Sequence, residues 1–138
     1  MKIFRKDVSH RTEYQICNEI DLQNKAQFQL NCTPKILKTD YKTFIEMEDL
    51  EEMCIADKYG EDINGIPNHL MDQMYGIVVK LYLQCDIEYI DVTPYNFIEK
   101  KGKVYVIDFG DAKSVEKNWY LRELFLNKKI HEWNPDFK

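Results

Sequence analysis

Glycine and proline are scarce in this chain, five and four among 138 residues. That excludes collagen-like and Gly- or Pro-rich low-complexity architectures, and it gives each glycine positional meaning. The four cysteines, Cys17, Cys32, Cys54 and Cys85, form no C-x-x-C pair and have no His beside them. They point to free thiols in a reducing compartment rather than to a disulfide framework or a zinc site. No apolar run approaches membrane-spanning length, and the opening MKIFRKDVSHRTEY lacks the apolar core of a signal peptide. The expectation is a soluble, cytoplasmic protein with no membrane partner. Excess positive charge is also missing: 19 Lys and Arg against 24 Asp and Glu leave a net charge of −5. Nothing in bulk can neutralise a nucleic-acid backbone, so a nucleic-acid partner is not expected.

What is present is a chain that is 44% hydrophobic and 13% aromatic, enough for one folded domain. MKIFR alternates and predicts a strand from the first residue. The stretch from Ser9 to about Leu30 has no Gly or Pro and carries Ile16 and Ile20 at helical spacing, so it predicts a helix. KILKTDYKTFIEM predicts a hairpin, and EDLEEMCIADKYG a short acidic helix with a solvated face. The clearest element spans Leu70, Met71, Met74, Ile77, Val78, Leu81 and Tyr82, a wide apolar helix face suited to the core. YNFIEK and KVYVIDF then predict a second hairpin around Gly102. SVEKNWYLRELFLNKKI predicts a last helix with Trp119, Leu121, Leu124 and Phe125 inward. The order of elements is that of an α+β fold. Trp133 and Phe137, in the tail, are candidates for an interface with a second copy or another protein.

Three oxygen-bearing side chains stand at the ends of the second hairpin. Asp91 and Asn96 are five positions apart in one loop, and Asp108 closes the strand that pairs with the one after Asn96. Singly, each suits a turn. Side by side, Asn96 and Asp108 offer hard oxygens suited to Mg²⁺ and its phosphate partners, and Asp91 is free to accept a proton from a hydroxyl.

YIDVTPYNFI followed by VYVIDFG resembles the catalytic loop and metal-binding loop of the protein kinase-like superfamily, with D-x-x-x-x-N spacing and the DFG triplet. The D-x-T-P-x-N form is closest in style to small atypical kinases of the RIO and KEOPS type. The resemblance implies Asp91 as catalytic base and Asn96 and Asp108 as Mg²⁺ ligands. It implies that MKIF ends a strand carrying the phosphate-binding lysine, Lys2, and that Glu19 on the first helix holds it. FIEMEDL resembles the strand and hinge that hold adenine, with Met47 as gatekeeper and Glu48 and Leu50 offering backbone groups. The expected architecture is a minimal two-lobed kinase-like fold: 1–48 a reduced N-lobe, 49–127 a reduced C-lobe, 128–138 a tail. The Gly-rich loop and most of the C-lobe are missing.

Other departures bear on activity. Tyr89-Ile90 stands where the family has His-Arg, so Tyr89 is expected to brace the DFG backbone through its ring, without the hydrogen bond. Thr93 replaces a lysine, and no activation segment follows Asp111-Ala112. The resemblance therefore implies two readings. One is an ATP- and Mg²⁺-dependent phosphotransferase, of Ser/Thr type if its substrate is a protein. The other is a pseudokinase that binds a kinase or a kinase substrate as a decoy. A homodimer that supplies the missing lid in trans is a further expectation. Scarce Gly and Pro beside abundant Lys, Ile, Asn and Tyr suggest AT-rich coding, as in a large DNA virus or a reduced parasite.

Overall fold

Thr12 starts the first long helix of the computed structural model, which describes residues 2–114 and 118–137. Its hydroxyl accepts the Gln15 N–H at 3.1 Å, and the Gln15 side chain accepts the Thr12 N–H at 3.0 Å. This reciprocal cap places the start of α1 at Glu13–Leu30 rather than at Ser9. Ser9 turns the chain instead, donating from its N–H and its hydroxyl to the Asp7 carboxylate. Asn31 ends α1 in the left-handed region at φ 50°, a conformation Asn tolerates.

Before α1 lies strand β1, Ile3–Asp7; after it come β2, Ile36–Thr39, and β3, Phe44–Glu48. They form an antiparallel sheet in the order β1-β3-β2, with Phe4 opposite Met47 and Lys6 opposite Ile45. α1 lays Ile16 and Ile20 on this sheet, closing a small apolar cluster with Val8, Ile45 and Met47. Leu22 and Ala26, a turn further on, belong to a second and larger cluster. One helix thus serves two cores.

The acidic run does not form a helix. Glu51 adopts φ 59°, and the Asp49 carboxylate accepts the Glu51 N–H at 2.8 Å, so residues 49–53 form an irregular connector. Neighbouring carboxylates repel, and a local Asp turn competes with helical hydrogen bonds. Helix α2 is reduced to Ile55–Tyr59.

Helix α3, Asn68–Cys85, is the axis of the larger core, burying Leu70, Met71, Met74, Val78, Leu81 and Cys85. Against it packs the hairpin of β5, Phe97–Lys100, and β6, Lys103–Val106. Lys101 and Gly102 both have positive φ, 52° and 80°, the primed turn that matches strand twist. Short strands β4, Ile87–Glu88, and β7, Lys113–Ser114, pair beside it. Helix α4, Trp119–Leu126, follows; the stretch from 115 to 117 expected at its start lies outside the described residues, as does Met1. α4 buries Leu121 and Leu124 and packs Phe125 on the larger core as expected, but Trp119 is 64% exposed and Tyr120 is buried in its place.

The tail does not project. Ile130 is buried, Trp133 packs against the larger core with its indole N–H on the Glu61 carbonyl, and the Phe137 ring lies tilted against that of Tyr95. Both aromatics expected at an interface thus pack on their own chain. Among the described residues no helix is long and apolar enough to cross a membrane.

The Thr12 cap is a direct test of how α1 begins. Thr12→Ala should cost about 1 kcal/mol in urea unfolding, while Ser9→Ala, outside the helix, should cost less.

Candidate functional site

Between the three-stranded sheet and the β5–β6 hairpin lies a cleft of about 410 Å³. Phe4, Lys6 and Met47 form its upper wall, and the connector contributes Glu48, Asp49, Leu50 and Glu52. Asn96, Ile98, Ile107 and Asp108 form the floor. Of the expected site residues, Met47, Glu48, Leu50, Asn96 and Asp108 line it, whereas Lys2, Glu19 and Asp91 do not.

Lys2 is 75% exposed and pairs with Glu51 at the outer end of β1. The cation at the heart of the cleft is Lys6, whose Nζ lies 2.5 Å from Glu19 Oε2 and 3.1 Å from Asp108 Oδ1. Alternation along a strand sends residues 2, 4 and 6 to one face, so parity alone cannot choose between the lysines. Position along the strand does. α1 begins only a short turn after β1, so only the last residues of β1 lie near its first turns. Lys2 is about 13 Å back along the strand. The sequence signal that could have found Lys6 was that short connection.

Glu19 lies on the buried stripe of α1 and is 0% exposed, with Oε1 lacking a hydrogen-bond partner. A carboxylate so placed is tolerable only beside a cation. Asp108 sits at φ 64°, a left-handed conformation that is uncommon outside Gly and is associated with functional sites when other contacts enforce it. Burial pushes its carboxyl up, but the Lys6 ammonium, the Gly110 N–H at 3.0 Å and the Arg11 charge outweigh this and hold it below its usual range.

The loop carrying Asp108 is held from two sides. The Tyr89 hydroxyl shares its proton between the carbonyls of Ile107, at 2.5 Å, and Asp108, at 2.9 Å. Tyr89 therefore braces this backbone by hydrogen bonding as well as through its ring, which packs edge-on to Phe97 and Phe109. Burial first, and the nearby carboxylates second, push the Tyr89 phenol well above its ordinary value, keeping it a donor. From α1 and the turn before it, Arg11 donates to the Gly110 carbonyl and Asn18 to that of Ala112, each at 3.1 Å. A Cβ at Gly110 would meet the Arg11 guanidinium at 2.5 Å, so only glycine allows this approach. Nothing in the sequence marked Arg11 or Asn18, which lie about a hundred positions away from their partners.

Asn96 is 7% exposed, and its Nδ2 donates both protons to Asp91, to the backbone carbonyl at 2.8 Å and to Oδ2 at 2.9 Å. That leaves the Asn96 amide oxygen as its remaining polar group, on the cleft floor with the Asp108 carboxylate. Among the described residues no three His, Cys, Asp or Glu side chains converge to cage an ion. The pair suits Mg²⁺, which takes one or two protein oxygens and fills its shell with water and phosphate. In the connector, the Glu48 N–H is committed to the Lys35 carbonyl and that of Asp49 to the Lys2 carbonyl. Glu48 can therefore serve a ligand only through its carbonyl, and Leu50 is the next backbone donor along the cleft. Met47 is 6% exposed at the back, its Sδ receiving the Gln23 amide at 3.6 Å.

Removing each lysine separates the two assignments. Lys6→Met leaves Glu19 buried and uncompensated and should cost about 3–5 kcal/mol, read by urea unfolding, whereas Lys2→Met should leave the midpoint unmoved. The pH dependence has a definite sign. Because the Asp108 pKa is lowered from 3.8, its contribution is complete above about pH 4 and is lost as pH falls through the lowered value. In Lys6→Met that acid limb should move to higher pH.

No family model and no curated protein matches this chain, so the reading of the site rests on its own geometry.

Proposed function

We propose that this chain is a reduced protein kinase-like phosphotransferase that uses ATP and Mg²⁺. The observation that carries the proposal is the bridge of Lys6 to Glu19 and Asp108 at the cleft, with Asn96 and Asp91 alongside. The five polar groups match, with Lys6 in place of Lys2, the set that phosphoryl transfer requires. Two separate apolar clusters, one on the three-stranded sheet and one around α3, support a reading as two reduced lobes.

Lys6, steadied by Glu19, would contact the α- and β-phosphates. Asp108 and the Asn96 oxygen would hold Mg²⁺, which supplies neutralisation of the phosphate charge. Phe4 and Met47 would cover an adenine whose edge meets the connector backbone. Asp91 would orient an acceptor hydroxyl and take its proton as the oxygen bonds to the γ-phosphorus. The bond from that phosphorus to the β,γ-bridging oxygen breaks, and ADP leaves with those electrons.

Thermal unfolding with ATP tests binding: stabilisation should require Mg²⁺ and should vanish in Asp108→Ala. Turnover, read as phosphate release to water or label transfer to a Ser/Thr peptide library, should fall at least about a hundredfold in Asp91→Ala. Mg²⁺-dependent stabilisation without any transfer would instead favour the binding protein of pseudokinase type. No stabilisation at all would remove the nucleotide reading.

A further inference from the structure

We infer that Asn134, in the C-terminal segment, is a positioning residue for Asp91, an inference that rests on the phosphotransfer reading above. The Asp91 carboxylate has two oxygens to orient. Asn96 spends its two N–H groups on the Asp91 carbonyl and Oδ2, so Oδ1 needs a different donor. Asn134 supplies it, with Nδ2 at 3.3 Å from Oδ1.

Asn134 is itself fixed. It is 9% exposed, and its N–H donates at 2.8 Å to the carbonyl of Val92, the residue after Asp91. Its side-chain oxygen accepts the Asp136 N–H at 3.3 Å and its carbonyl that of Phe137 at 2.9 Å. With the acceptors occupied on this side, the amide NH₂ is the group left to face Asp91. Aromatic anchors flank it. Trp133 donates to the Glu61 carbonyl at 2.6 Å, and the Phe137 ring lies 5.9 Å from that of Tyr95, which sits between Asp91 and Asn96. The Tyr95 hydroxyl donates to the Glu61 carboxylate at 2.6 Å, so loop and tail share one attachment.

An amide on each carboxylate oxygen fixes the plane of the group while leaving lone pairs for an acceptor hydroxyl, since an ionised carboxylate offers about four sites. Without Asn134 the carboxylate can rotate about its last bond, and a misaligned base slows chemistry without weakening nucleotide binding. The tail thereby completes the site from outside the cleft.

Asn134→Asp tests this by keeping the shape and an acceptor oxygen while removing the donor and setting a second negative charge beside Asp91. The expected result, with ATP, Mg²⁺ and water as acceptor, is a fall in kcat of at least about tenfold with KM for ATP within about twofold. Asn134→Ala should give the same split without the added charge. A readout independent of activity is the Asn134 side-chain amide resonance in ¹⁵N spectra, which should shift in Asp91→Ala. If that resonance is unmoved, or kcat is unchanged in both variants, the inference is overturned. A parent that transfers no phosphate yet shows the amide shift overturns the phosphotransfer reading and upholds the pairing of Asn134 with Asp91.

Discussion

One ammonium group ties this structure together. Lys6 stands between a carboxylate that is fully enclosed, Glu19, and one at the cleft floor, Asp108. An enclosed carboxylate without a cation is too costly to keep, so the position of α1 relative to β1 is set by this pair as much as by apolar contact. The second bond reaches from the small cluster on the sheet to the loop that leaves the larger cluster.

The remaining polar contacts reinforce that join. Arg11 and Asn18 reach from the α1 side to the backbone at Gly110 and Ala112, and Tyr89 grips the same segment from the core side. The closing residues act the same way on the Asp91 loop, through Trp133, Asn134 and Phe137. Single side chains thus fix the backbone on both sides of the cleft floor.

Much of the fold was legible in the sequence because it rests on periodicity. The apolar stripe of α3, the two hairpins and the turn at Gly102 stand where alternation and turn chemistry put them. Asp91, Asn96 and Asp108 were legible as a group because strand pairing brings their loop ends together. What escaped was set by distance through space. Lys2 and Lys6 share a strand face, and only the tight turn into α1 selects Lys6. The acidic run looked helical by composition but lines the cleft as a connector, since local Asp turns outcompete helix there. At the start of α4 Tyr120 is buried in place of Trp119, its hydroxyl donating to the Glu132 carbonyl at 3.0 Å. The partners of Arg11, Asn18 and Asn134 carried no local signature at all.

On the phosphotransfer proposal, Lys6 is the cation meant for a nucleotide's phosphates. A crystal structure with a non-hydrolysable ATP analogue and Mg²⁺ tests it most directly. The account predicts Lys6 Nζ still on Glu19 but moved from Asp108 to the α- and β-phosphates, with the ion between Asp108 and the Asn96 oxygen. An analogue bound elsewhere, or Lys6 still closed on Asp108 with the phosphates out of reach, would contradict it.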